Sequence, residues 1–441
     1  MAPLQDIARG VAARVAPERR FGVLAAIEGG ALRIRGLSDI GHIGDGVALD
    51  GVLAGEIIAI DGEFVVAMPN TSLNGLSIGA RAYLHPDEGV RPTRAWLGRV
   101  LDARGRSFDG APAPQGGAQL SLSPAPLPVN ARRGLGSRIN TGLAAFDTFL
   151  PLCRGQRVGL FAGSGVGKSS LLADLANGVE ADVVVLALIG ERSREVREFV
   201  EETLGPKGRA RSVVIVSTCD EPAPLKRRAA LLAMTTAEYF RDLGLHVLFL
   251  FDSVTRFADA WREIGLTAGE TPSLRAYPPS TFRTVASLAE RAGPGVGSAG
   301  DITAIFSVLV AGSDMDEPVA DMMRSILDGH VVLERQIAER GRFPAIDVRR
   351  SVSRALPKAA NAEEARLLAE GRALIAAYEE ASTMIQSGLY ARGSDPQIDR
   401  AIAVWPQLDA FVGARSQSCA DAYRMLADIL KPQIAPAKKP R

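Results

Sequence analysis

The chain is 441 residues long, with 47% hydrophobic and 23% charged residues, a globular composition that excludes a disordered chain. Its 51 Lys and Arg against 50 Asp and Glu leave a net charge of +1, which argues against a protein that coats nucleic acid. No apolar run nears the roughly 20 residues that span a bilayer. Cys153, Cys219 and Cys419 lie far apart without a CxxC spacing, as expected in the reducing cytoplasm, and Asp6 and Arg9 break any secretory signal.

Leu4, Ile7, Val11 and Val15 recur at helical spacing and predict a short amphipathic helix within residues 1–20. Residues 21–95 change texture. Short apolar runs at Val23–Ile27, Leu32–Ile34, Val47–Leu49, Ile57–Ile60 and Phe64–Met68 alternate with Gly, Asp and Asn turns, predicting a small antiparallel barrel or sandwich. Only Phe21, Phe64 and Tyr83 offer rings for base stacking there, so no specific nucleic acid is expected as a partner. A Pro/Gly/Ser-rich connection covers 109–128.

From Ile139 the pattern becomes strand, loop, helix. Apolar runs at Arg157–Phe161, Val183–Ile189, Val213–Ser217, His246–Phe251 and Thr303–Val310 predict an α/β fold with a mainly parallel sheet. We place this domain at 96–360, a helical C-terminal domain at 361–430 broken by Gly393–Pro396, and a disordered Pro/Lys tail at 431–441.

Residues 158–172 read VGLFAGSGVGKSSLL. A buried strand runs into a loop of Ala162, Gly163, Ser164, Gly165, Val166 and Gly167, and Lys168–Ser169 open a helix. Glycines let backbone N–H groups converge on phosphate oxygens, the helix end adds its dipole, Lys168 reaches the outer phosphates, and Ser169 offers a hydroxyl to Mg²⁺. The pattern asks for Gly where Ala162 stands, a minor departure. Nucleoside triphosphate binding follows. Asp252, ending VLFLFD, is the second acidic element and organises Mg²⁺. Glu191, ending a buried strand, suits the orientation of an attacking water. A helix N-terminal charge or a surface pair with Arg192 or Arg194 competes for that residue.

GERSREV around Glu191, LFLFDSVTRFADA, Tyr277–Ser280 and PAIDVRRSVS resemble the catalytic subunits of rotary ATPases and their protein-export relatives. VLVAGSDMDEPVAD, ILDGHVVLERQIAERGRFPAIDV and GSDPQIDRAIAVWP resemble, more narrowly, the flagellar type III protein-export ATPase. The resemblance spans about Leu97 to Phe411, is weaker before residue 90 and is absent from the tail. It implies a RecA-like P-loop ATPase core with a small N-terminal β-barrel and a C-terminal helical domain. It carries the phosphate loop to Gly163–Ser169, the Mg²⁺-organising acid to Asp252 and the water-activating acid to Glu191.

By the same resemblance Phe343 packs on adenine, with a buried core Phe as its alternative. Arg354 is an arginine finger that reaches a neighbour's γ-phosphate, and Arg192 is a second electrostatic partner or a surface salt bridge. A homohexamer is implied, because one chain holds both Glu191 and Arg354. Further implied partners are a stator-like regulator at the N-terminal segment, a central stalk-like coiled-coil protein, export chaperones with their substrates, and a membrane export gate. The expected function is Mg-dependent ATP hydrolysis supporting flagellar export. The alternatives are a virulence-type injection ATPase, an ATP synthase β subunit, a hexameric RNA translocase, and a nucleotide-binding subunit without turnover.

Overall fold

The structure, a computed structural model, describes residues 20–86, 89–310 and 314–431. The expected helix over Leu4–Val15 and the tail beyond Lys431 lie outside the described residues. The chain forms two compact units. One comprises the described residues through Gly89 with Asp220–Arg227 and Asp259–Thr281; the other holds the remainder.

In the first unit, β1 (Gly22–Glu28), β2 (Ala31–Arg35), β3 (Gly46–Leu49), β4 (Val52–Asp61), β5 (Phe64–Pro69) and β6 (Arg81–His85) close into a barrel of order β1-β2-β5-β4-β3-β6. Alternation along the strands turns Leu24, Leu32, Ile34, Val47, Ile57 and Val65 inward, where they are buried together. Pairing of Gly22 with Ala82 closes the ring, which decides between barrel and sandwich and removes exposed sheet edges. On the outside, Arg33 and Arg35 lie over the Phe64 ring. Both pair with acids, Asp61 and Glu63. Ala223, Ala260 and Ile264 pack on Ala31, Ile58, Val66 and Met68, which joins the two short central segments to the barrel.

The second unit is built on a nine-stranded sheet. Its strands are β7 (Val100–Leu101), β8 (Arg157–Ala162), β9 (Val183–Glu191), β10 (Ser212–Thr218), β11 (Val247–Asp252), β12 (Gly293–Pro294), β13 (Asp301–Leu309), β14 (Gly329–Leu333) and β15 (Ile346–Ser353). The order is β15-β14-β8-β13-β11-β9-β10-β7, with β12 on β13. Pairing is parallel except for β12–β13 and β14–β15. The centre is apolar on both faces, as VVVLALIG and VLFLF require, so helices cover both sides.

The connection over 109–128 follows irregular backbone and is anchored at its start. Asp109 accepts from Arg99 Nη2 at 2.7 Å, Arg209 Nη2 at 3.1 Å and the Val100 amide at 3.1 Å. The Arg99 hydrogen bond holds this carboxyl well below the usual carboxylate range.

Beyond β15 the chain is helical over Ala362–Gln386, Pro396–Val412 and Cys419–Leu430. Each start is chemically marked. Asn361 and Glu364 form a reciprocal capping box, Asp395 accepts from the Gln397 and Ile398 amides, and Ser418 accepts from Asp421 N. These helices share the core of the sheet: Leu374, Phe411 and Leu426 pack with Phe149 and Leu160 in one apolar cluster. Their burial explains why the region belongs to the same compact unit.

Candidate nucleotide site

β8 ends at buried Ala162, and the chain turns through Gly163–Gly167 before the helix Lys168–Gly178 begins. Val166 is buried and anchors the turn, while Ser164, Gly165 and Ser169 are exposed. Gly167 caps the helix at φ 84°, a left-handed conformation that disfavours any residue with a Cβ. A Cβ there would also come within 3.0 Å of the Phe343 ring. The loop therefore bares its amides and the helix start to solvent, a ready anion cradle.

The acids converge because their strands are neighbours. β13 separates β8 from β11, and β9 follows β11, so Lys168, Asp252 and Glu191 meet at the carboxyl ends of parallel strands. Lys168 Nζ donates to Asp252 Oδ1 and lies 3.7 Å from Glu191 Oε1. Asp252 is 4% exposed. Glu191 remains partly open, and burial, reinforced by the charge of Asp252, pushes its carboxyl up, with Lys168 acting in the opposite sense. An ammonium held beside two carboxylates, one of them partly open, can bind outer phosphates and leave a proton acceptor facing the loop.

The remaining expected residues are not gathered there. Arg192 stands in solvent and pairs with Glu195 at 3.1 Å, the surface salt bridge that the sequence left open. Phe343 is 52% exposed with its ring against Gly167, so it stands at the loop and outside the core. Arg354 follows β15, whose Ser353 pairs with Gly329 at the start of β14. Its amide donates to Asp328 O, and the Asp328 amide donates to Arg157 O at the beginning of β8. The finger candidate thus lies at the opposite end of β8 from its own phosphate loop, about five residues or ~16 Å away along the strand. Its guanidinium donates to Arg324 O at 3.2 Å.

Two residues escaped sequence reasoning. Ser307, fully buried on β13 between the lysine and acid strands, donates to Asp252 Oδ1 at 2.5 Å. A serine within the apolar run AIFSVL gives no sequence signal. The aliphatic stem of exposed Arg256 runs along Gly190, the residue before Glu191, where a Cβ would lie 2.9 Å from the Arg256 Cβ. Its signal was available in VTRFADA, one helical turn after Asp252.

Residues 142–353 match the nucleotide-binding domain of the ATP synthase alpha/beta family, and residues 360–429 match the T3SS EscN ATPase C-terminal domain. A flagellum-specific ATP synthase of Caulobacter vibrioides is 44% identical over 432 residues, covering 95% of this chain and 97% of that protein. The SPI-2 type 3 secretion system ATPase of Salmonella typhimurium is 44% identical over 358 residues, 81% of this chain and 82% of that protein. Among solved structures, the assembled ATPase EscN from the enteropathogenic E. coli type III secretion system superposes with a TM-score of 0.85 at 38% identity, covering 92% of this chain and 99% of that one. The same ATPase in complex with its central stalk EscO gives a TM-score of 0.84, again at 38% identity, 92% of this chain and 99% of that one. With loop, acids, sheet order and C-terminal helices all in place, the chain belongs to the family of flagellum-specific ATP synthases, type III export ATPases built on the ATP synthase alpha/beta nucleotide-binding domain.

Proposed function

We propose that this chain hydrolyses ATP with Mg²⁺ as a homohexameric ring and thereby supports flagellar type III protein export from the cytoplasm. The observation that carries the reading is the cluster of Lys168, Asp252 and Glu191 at the ends of β8, β11 and β9, in a chain that aligns with a flagellar relative over 95% of its length.

Lys168 and the amides of Gly163–Ser169 bind and orient the triphosphate. Glu191 aligns the attacking water and accepts its proton, and burial, which raises its carboxyl, makes it a stronger acceptor than an exposed glutamate. Asp252, steadied by Ser307, and the Ser169 hydroxyl would hold Mg²⁺, and this oxygen-only donor set fits a hard cation. Among the described residues no group of three or more His, Cys, Asp or Glu could hold a metal ion, so the ion would draw its other ligands from phosphate and water. When bound, Mg²⁺ neutralises charge on the phosphate oxygens. We assign Arg192, paired with Glu195 and exposed, as a second electrostatic partner of the phosphates.

Arg354 acts on the neighbouring subunit's site, since its place at the far end of β8 bars it from its own. A closed ring satisfies every such head-to-tail contact. The EscN relative, described as assembled and in complex with its central stalk, supports a ring and a stalk-like partner here. Chaperones with their export substrates, a stator-like regulator and a membrane export gate complete the partners we assign. We assign peripheral attachment to the export apparatus; no described helix is long and apolar enough to cross a membrane.

The virulence-type reading is favoured less, because flagellum-specific ATP synthases of three bacteria align over 95%, 94% and 93% of the chain, while the SPI-2 relative, like the flagellar one of the same Salmonella, aligns over 81%. Two assays test the proposal. Purified protein releases phosphate from ATP with Mg²⁺ and stops with EDTA. Cells deleted for the chain lose flagellar filaments while general protein synthesis continues; intact filaments would refute the flagellar assignment.

A further inference from the structure

We propose that Arg342, held against Asp409 on the helix Pro396–Val412, is a positioning residue that sets the Phe343 ring and thereby ties nucleotide affinity to the C-terminal helices. This rests on the reading of Phe343 as the residue that packs on adenine.

Arg342 precedes Phe343, yet its side chain turns inward and is 11% exposed. Nη1 donates to Pro344 O at 3.0 Å and Nη2 to Ile346 O at 2.8 Å. One guanidinium therefore closes the turn that presents the ring, by holding two carbonyls that follow it. Nε lies 3.0 Å from Asp409 Oδ1, an ion-pair distance without hydrogen-bond alignment. Asp409 belongs to the last turns of its helix, and Gly413 caps that helix directly behind the same turn. A Cβ on Gly413 would lie 2.9 Å from Phe343 O and 3.5 Å from Arg342 Cγ, so the helix end and the aromatic turn are in close contact. On its other side the ring rests on Gly167. Contact is continuous from the phosphate loop, through Phe343 and Arg342, to Asp409.

Arginine is the residue this position needs. A planar fork can hold two carbonyls and face a carboxylate at once, whereas a lysine ammonium would satisfy the charge and release the carbonyls. Without Asp409, the cation keeps its carbonyl bonds but loses the charge that fixes its direction. The turn then gains freedom to tilt the ring away from the base.

The test compares two probes on the full-length protein, ATP and inorganic tripolyphosphate, which carries the phosphate chain without a base. Dissociation constants are read by displacement of a fluorescent nucleotide, with thermal melts confirming folding. Asp409→Ala and Asp409→Asn should weaken ATP about tenfold while tripolyphosphate changes less than about twofold. Asp409→Glu should restore most of the ATP affinity, and Arg342→Lys should behave like Asp409→Asn. In a Phe343→Ala background, Asp409→Ala should add no further loss. Unchanged ATP affinity in Asp409→Ala, or equal losses for both probes, overturns the proposal. Phe343→Ala separates the two readings. If it weakens ATP alone, adenine packing stands and the Asp409 result judges the strut by itself; if ATP affinity is untouched, adenine packing fails and the strut with it.

Discussion

Lys168, Asp252, Ser307 and Glu191 sit at or near the ends of adjacent central strands and are linked by hydrogen bonds and ion pairs, whereas Arg192 and Arg354 stand in solvent, one just after β9 and the other at the sheet edge. The first group is complete within one chain. Burial there strengthens each charge and keeps it where the fold puts it. The second group has little inside the chain to act upon: Arg192 meets only a surface acid, and Arg354 lies at the wrong end of β8 for its own loop. Two halves of a site that differ so sharply in burial are expected where a second copy supplies what one copy lacks.

Substitutions can break this contrast, beginning with the largest effect. Arg354→Ala should lower turnover by about 10³–10⁵-fold, the value of a finger in phosphoryl transfer, while ATP binding by one chain is kept. Steady-state phosphate release beside nucleotide titration reads both. Glu191→Gln should lower turnover by about 10²–10⁴-fold with ATP still bound; normal turnover would remove the acid from the mechanism. Ser307→Ala should cost about tenfold in turnover and raise the Mg²⁺ concentration needed for half-maximal rate, since a buried carboxylate loses a donor. Ser307→Thr, which keeps the hydroxyl, should recover most of that loss. Arg192→Ala should change folding stability by less than about 1 kcal/mol in urea titrations, as an exposed pair allows.

The same contrast governs what could be read in advance. Within the buried group the phosphate loop was the plain part, because glycines after an apolar strand with Lys168–Ser169 at a helix start are rare in any other role, whereas an acid ending a strand is common, so Asp252 drew its weight from the loop before it and Glu191 from resemblance to a family. Five barrel runs and five sheet runs were equally plain from their apolar texture. β14 and β15 were not: β15 reads IDVRRSVS, an edge strand with charges facing solvent, whose alternation is broken at Arg349–Arg350. Ser307 hid inside a core strand, since a hydroxyl among Ile, Phe and Val carries no pattern. Arg342 looked like one more charge in ERGRFP, because its task depends on Asp409, 67 positions further on, which no local spacing connects to it. Phe343 and Arg354 were reached by resemblance to a family, and the structure adds where they stand.

The central claim is that water is poised by one chain and charge is met by the next, and mixing two dead proteins tests it most directly. Arg354→Ala keeps Glu191, and Glu191→Gln keeps Arg354. In randomly assembled equimolar rings, roughly a quarter of the interfaces join an intact acid to an intact finger. The account predicts that phosphate release returns on mixing, peaks near equal proportions and is absent from either protein alone. Silence at every ratio, with mixed rings shown to form, would contradict it.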